Sequence, residues 1–237
     1  MQEKTRGLLI QEARRLGIEL GGEQQAQVEA YLRVLREQGQ HFNLTRIIEE
    51  TEAAVRHFID SWTCCPYIGS GSLIDVGAGA GFPGLAIKIA RPDIDLTLME
   101  ATAKKAAFLE QVIGLLGLNG TQVLNLRAEE AGRDGNRESY DHATARAVGS
   151  LAVVAELCLP LLKVGGRLLA QRGETGEREA RTAGPGLEQL GGVLQRAVPV
   201  KDHTGADHYL LVIEKSRPTP ERYPRRNGIP QKRPLWK

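Results

Sequence analysis

"LIDVGAGAGFPGLAIKIA" occupies residues 73–90 and passes from an apolar run to an amphipathic one through four glycines, Gly77, Gly79, Gly81 and Gly84. The apolar residues 73–76 predict a short strand, and residues 83–90 predict a helix. A strand that ends in near-bare backbone and enters a helix directly lets the main chain approach a small ligand closely. Gly79-x-Gly81-x-x-Gly84 matches the dinucleotide fingerprint, a spacing that many nucleotide-like ligands share.

Two carboxylates narrow the choice. Asp75 sits two residues before the first glycine, where an anion disfavours a pyrophosphate and favours a cationic ligand. Glu100 ends the next predicted strand, 19 residues after Gly81, where a carboxylate can accept both hydroxyls of an adenosine ribose. An adenosine joined to a positively charged amino-acid arm suits both, which points to S-adenosylmethionine. The plainer readings are a cap on the turn for Asp75 and a solvent-facing strand end for Glu100.

Residues 1–63 read as helices. Their apolar stripes are Leu8, Leu9, Ala13 and Leu16, then Val28, Tyr31, Leu32 and Leu35, then Ala54, Val55, Phe58, Ile59 and Trp62. Gly21-Gly22 is expected to end the first helix, and "HFNLTR" (residues 41–46) has loop character. From residue 72 the pattern alternates. Strands are expected at 73–76, 94–99, 122–126, 140–147 and 165–173, with helices at 83–90, 102–116 and 151–162. A helical stretch at 177–190 is interrupted by Gly184-Pro185-Gly186. Strands at 192–200 and 209–214 then follow with only a loop between them. Alternation of this kind implies a parallel sheet covered on both faces. The last two strands leave no room for a crossover helix and are expected to form an antiparallel hairpin.

The expected fold class is therefore α/β: a Rossmann-like class I methyltransferase sheet, mostly parallel with a C-terminal antiparallel hairpin, preceded by a small helical N-terminal region. The expected divisions are a helical region at 1–63, an S-adenosylmethionine-binding methyltransferase domain at 64–216 and a basic, proline-rich C-terminal arm at 217–237.

Of the 237 residues, 41% are hydrophobic and 25% charged, as in ordinary soluble domains. No apolar stretch approaches the roughly 20 residues that cross a bilayer. The three cysteines, two of them adjacent at 64 and 65, have no metal-ligand spacing and suggest reduced thiols in the cytosol. The net charge of +2 divides into +6 on residues 217–237 and −4 on the remainder. Five prolines in the arm exclude a long helix or an inner strand there. The arm reads either as docked or RNA-contacting, with Tyr223 and Trp236 suited to packing or stacking, or as a solvated terminus.

Five words occur in one order along the chain: "NLT" (43–45), "RHFIDS" (56–61), "DVGAGAGFPG" (75–84), "RAEE" (127–130) and "ARA" (145–147). In them the sequence resembles the RsmG (GidB) family, bacterial methyltransferases of 16S ribosomal RNA. The F-P-G after the glycines is the most specific part, and "RYPRRNGIPQKRPL" is similar to the basic ending of the longer members. The resemblance implies transfer of a methyl group from S-adenosylmethionine to N7 of a guanine in the decoding-region loop; the acidic body with a single basic arm offers little charge for RNA and points to a structured target, naked 16S rRNA or a partly assembled small subunit. The resemblance also implies cofactor contacts at Gly77, Phe82, Glu100, Ala101, Thr102, Ala128, Glu129 and Arg146, to which the turn itself adds Asp75 and Gly79. Glu100 stands where some relatives have aspartate, and "ATAKK" after it departs from the serine-containing version.

Guanine N7 carries a lone pair and no proton, so its methylation needs alignment rather than a general base. Asn43 and Arg146 are the candidates for orienting the guanine. Thr45, Arg56, His57, Lys104, Lys105, Arg225 and Arg226 are candidate substrate contacts, with Asp60 near the pocket mouth. Each has a structural alternative: a loop cap for Asn43, a packed ring for His57, a pairing with Asp141 or Glu129 for Arg146, and a solvated helix face for the lysines. The protein is expected to be a cytoplasmic monomer with no bound metal and no membrane partner. The rival functions are an NAD(P)-dependent oxidoreductase, a methyltransferase for a protein or small molecule, and a non-catalytic ribosome-assembly binder.

Overall fold

The repeating unit from residue 72 onward is set by side-chain alternation, since successive residues of a strand point to opposite faces. In the computed structural model, which describes residues 1–38, 47, 49–201 and 207–236, both faces of that sheet are apolar. Strands β1 (Ser72–Val76), β2 (Asp95–Met99), β3 (Thr121–Leu124), β4 (Tyr140–Arg146), β5 (Leu162–Arg172), β6 (Gly192–Lys201) and β7 (Asp207–Lys215) are ordered β3-β2-β1-β4-β5-β7-β6. The first five are parallel, and β7 runs antiparallel between β5 and β6. The chain order reverses between β1 and β4, so the carboxyl ends of those two strands flank a crevice.

One face of the sheet carries Leu73, Leu96, Leu98, Leu169, Leu210 and Val212, and it packs on the N-terminal helices and on α5 (Gly84–Ala90) and α6 (Ala103–Leu116). The N-terminal elements are α1 (Glu3–Arg15), α2 (Gly22–Gln38), α3 (Glu50–Ala53), a π-helical turn (Ala54–Ile59) and α4 (Asp60–Trp62). Trp62 Nε1 donates to the Ala86 carbonyl at 2.9 Å, and Gln27 Nε2 to the Leu116 carbonyl at 3.0 Å. These helices therefore share the core of the sheet domain. The other face carries Ile74, Val76, Ala143, Ala145, Leu168, Ala170, Leu211 and Ile213, covered by α8 (Leu151–Cys158) and α10 (Gly184–Leu190).

Several boundaries differ from expectation for identifiable reasons. Gly22 opens α2 instead of closing α1. The expected 151–162 helix stops at Cys158, because Pro160 cannot donate to a continuing helix. β5 starts at Leu162, which pairs with Tyr140. The 177–190 stretch is two helices, α9 (Gly176–Thr182) and α10. A four-residue helix, α7 (Ala128–Ala131), is too short to show a period. All three cysteines are buried and unpaired, and burial pushes the Cys65 thiol up to about 12. Among the described residues, no helix is long and apolar enough to cross a membrane.

The C-terminal arm is docked. Arg225 spans the carboxylate of Glu156 on α8, Nε to Oε1 at 2.8 Å and Nη2 to Oε2 at 2.6 Å, and its backbone N–H also reaches Oε1. Glu156 is fully buried. Thr219 Oγ1 donates to the Leu190 carbonyl at 2.7 Å, Tyr223 is buried, and the Trp236 ring lies against Gly186. Pro224 packs on Gly132, and the Gly228 N–H donates to Glu129 Oε1 at 2.8 Å.

Removing one partner of a buried ion pair leaves an uncompensated charge, at a cost of about 3–5 kcal/mol. Arg225→Met should lower unfolding stability by about that amount, and Arg225→Met with Glu156→Leu should recover most of it. Urea denaturation of the two variants checks this; an unchanged midpoint for Arg225→Met would show that the Arg225–Glu156 pair contributes nothing to the fold.

Candidate active site

The glycine turn is built from below. Asp75 on β1 points under it, with Oδ2 accepting the Gly84 N–H at 2.9 Å and Oδ1 accepting the Thr144 hydroxyl at 3.0 Å. Only glycine fits at 84, because a Cβ there would lie 2.8 Å from Asp75 Oδ2 and 2.7 Å from Leu98 Cδ2. Asp75 is 1% exposed, and burial pushes its carboxyl up to about 6 against the opposing hydrogen bonds. Asp75, expected to face a cationic ligand, thus points beneath the turn. Both its oxygens are engaged beneath the turn, and it holds the start of α5 to β1 and β4.

Glu100, at the end of β2, lies beside the turn. Its Oε2 accepts the Gly79 N–H at 3.1 Å and its Oε1 the Thr102 N–H at 2.8 Å, while Asn125 Nδ2 donates to its backbone carbonyl at 2.7 Å. A carboxylate oxygen has two lone pairs, so each can also take a ribose hydroxyl. Above Gly79 there is room, since a Cβ there would meet only the Gly77 carbonyl, at 3.8 Å. Gly77, Ala101 and Thr102 are exposed around this space. An open main-chain cradle next to a strand-end carboxylate fits an adenosine-bearing ligand. Ala128 and Glu129 are both buried, and the Glu129 carboxylate is turned to Gly228 in the arm.

Phe82 is buried in an aromatic column. Tyr31 of α2 stacks on it at 5.1 Å between centroids, His57 stacks at 4.7 Å, and Phe58 meets it edge-on at 5.3 Å. The Arg146 guanidinium sits 5.5 Å from the same ring centre. Any ligand contact at Phe82 therefore falls to its main chain. Burial, with the Arg146 cation second, pushes the His57 imidazole down to about 3.

Arg146 ends β4 and is paired with neither Asp141 nor Glu129. Its Nη1 donates to the Arg56 carbonyl at 2.8 Å and to Asp60 Oδ2 at 3.1 Å, both on the N-terminal helices. Asp141 instead binds Ser72 and Lys163, which hold its carboxyl down at about 2. Beside Arg146 opens a cleft of about 460 Å³ lined by Arg56, His57, Asp60, Arg146, Gln171 and Arg172, among others. Gln171, the register partner of Arg146 on β5, donates to the Asp60 carbonyl at 2.7 Å.

The structure thus gathers Arg56, His57, Asp60 and Arg146 at one cleft, and Gly77, Gly79, Glu100, Ala101 and Thr102 around one cradle. Lys104 and Lys105 follow on the first turn of α6. Arg225 is committed to Glu156, so its expected substrate contact is corrected; Arg226 is exposed. Asn43 and Thr45 lie outside the described residues. Tyr31, Thr144, Gln171 and Arg172 were not anticipated here. For the last two the signal was available: polar residues at the carboxyl end of a strand in a parallel sheet.

A model of the family described as rRNA small subunit methyltransferase G matches residues 24–205. The chain belongs to the rRNA small subunit methyltransferase G family. It is 46% identical over 228 residues to the protein of Pelotomaculum thermopropionicum named ribosomal RNA small subunit methyltransferase G, covering 94% of this chain and 95% of that one. It is 43% identical to the protein of the same name from Acetivibrio thermocellus, over 98% and 97% of the two chains. Among solved structures, a mutant of the 16S rRNA (adenine(1408)-N(1))-methyltransferase from Catenulisporales acidiphilia shares the fold. Its TM-score is 0.51 at 16% identity, over 62% of this chain and 86% of that one. A putative S-adenosylmethionine-dependent methyltransferase from Methanococcus maripaludis gives 0.50 at 14% identity, over 78% and 92%. At these identities the likeness is one of fold.

The His57 shift has a sign that can be tested. In the unfolded chain His57 takes a proton near pH 6.5, whereas the folded ring resists until about 3. Acid in that window therefore favours unfolding, and the stability is regained as pH rises to 6.5. His57→Phe, which keeps a ring on Phe82, should remove that rise and turn the slope of stability against pH downward between pH 4 and 6, where the raised Asp75 carboxyl contributes in the opposite sense. Chemical denaturation at a series of pH values checks it, and NMR should show the native His57 ring neutral at pH 5.

Proposed function

We propose that this chain transfers a methyl group from S-adenosylmethionine to N7 of a guanine in the decoding-region loop of 16S rRNA. The observation that carries the reading is the adjacency of the open glycine cradle and the arginine-lined cleft: Val148 lies against Gly77, and its neighbours Ala147 and Gly149 line the cleft. Cofactor contacts are assigned to Gly77, Gly79, the Phe82 main chain, Glu100, Ala101, Thr102, Ala128, Glu129 and Arg146. The substrate side is assigned to Arg56, His57, Arg146 and, at the rim, Lys104, Lys105 and Arg226, with Asn43 and Thr45 contributed by the segment after α2. The target is 16S rRNA, free or within a partly assembled small subunit, met in the cytoplasm by a monomer.

The bound cofactor supplies an electrophilic methyl group on sulfonium. The chain's residues supply alignment, and correct placement alone can lower a barrier by roughly 7–11 kcal/mol. N7 has no proton to lose, and the depressed pKa of His57 suits a ring that packs and does not accept one. The guanine becomes cationic as the bond forms. Asp60, held at the cleft by Arg146, is the anion placed to offset that charge.

Radiolabelled methyl transfer to 16S rRNA and to small subunits, followed by mapping of N7-methylguanine, tests the reading. Label at N7 of one guanine supports it; label on protein, on another base or nowhere would falsify it. Arg146→Met should lower kcat/KM for methyl transfer on the order of 100-fold, as loss of one pre-positioned donor does.

A further inference from the structure

A glycine-rich turn is soft, and a ligand that binds its main chain needs that main chain already fixed. Most of this turn is fixed from within the sheet domain. The Gly77 and Ala78 N–H groups donate to the Met99 carbonyl at 2.9 and 3.0 Å, and Gly79 N–H goes to Glu100. The Gly81 N–H turns back to the Ala78 carbonyl at 2.7 Å. The Ala80 carbonyl, at the crest, is taken by a residue from outside that domain: it accepts the phenol O–H of Tyr31 on α2.

Tyr31 is fully buried, stacked on Phe82 with 9° between the rings and edge-on to Phe58 at 5.8 Å. Its oxygen fits so closely that a Cβ at Gly81 would lie 2.6 Å from it, and Gly81 holds φ +87°. The phenol thus bears on both peptides of the crest, Ala80 and Gly81. Seven residues further on, α2 ends at Gln38 and leads into the segment carrying Asn43 and Thr45.

We infer that Tyr31 is a positioning residue for the cofactor: its hydroxyl fixes the crest of the glycine turn, so that the N-terminal helical region completes the cofactor site instead of serving substrate recognition alone. This rests on the reading that the turn holds S-adenosylmethionine.

The test is Tyr31→Phe, which removes one oxygen and keeps the stack. Affinity for S-adenosylhomocysteine is measured by calorimetry, and KM for S-adenosylmethionine and kcat by methyl transfer, all well below the melting temperature. The expected result is a rise of about three- to tenfold in both the dissociation constant and KM, the range of one neutral hydrogen bond. At saturating cofactor, kcat should stay within about twofold of the wild type, as expected when only cofactor binding is weakened. A purely structural role would lower the melting temperature and leave those constants alone; that outcome overturns the inference. Replacement of Tyr31 by 4-aminophenylalanine restores a donor at the ring's para position and should bring affinity back near that of the wild type. Equal weakening in both variants would show that the hydrogen bond is not the cause. Wild-type protein that failed to bind S-adenosylhomocysteine would sink the cofactor reading itself, a separate result from an unaffected Tyr31→Phe.

Discussion

The carboxylate of Asp75 is the knot on which the site depends. One oxygen holds the first N–H of α5 and the other holds Thr144 on β4, so a single side chain fastens β1, its neighbour across the switch point and the helix that follows the turn. Burying a carboxylate is costly unless its lone pairs are satisfied, and here two donors and nearby Arg146 offset part of that cost. With its base fixed, the turn above can expose bare main chain without collapsing. Glycine at 84 follows from the same packing, because the carboxylate leaves no space for a methyl group.

The sheet was legible because its signals are local and repeated. Alternating strand and helix patterns, an apolar run on either face and a closing pair too near for a crossover define the order of elements directly from the residues. Boundaries moved where one residue overrode a pattern, as Pro160 does at the end of α8. The cradle was legible for a similar reason: four glycines after a strand restrict what the backbone there can do.

The partners of the polar side chains were not legible. Asp75 and Glu100 read from the sequence as a matched pair of anions, yet one lies beneath the turn and the other beside it. That difference arises from the inward direction of one strand position, which neither composition nor spacing records. Arg146 finds Asp60 and the Arg56 carbonyl across 86 and 90 residues of chain, a contact made only once the N-terminal helices have packed on the sheet. The cleft is accordingly a joint product of two stretches that carry separate sequence words.

Glu156 was the overlooked clue to the C-terminal arm. "LAVVAELC" is apolar except for that acid, and an acid in a fully buried helix requires a cation from somewhere. The cation arrives 69 residues later, on Arg225. During synthesis, therefore, α8 leaves the ribosome well before its counter-charge does. Until Arg225 docks, that interior carboxylate has no cation to meet it, so α8 reaches its native burial only together with the arm.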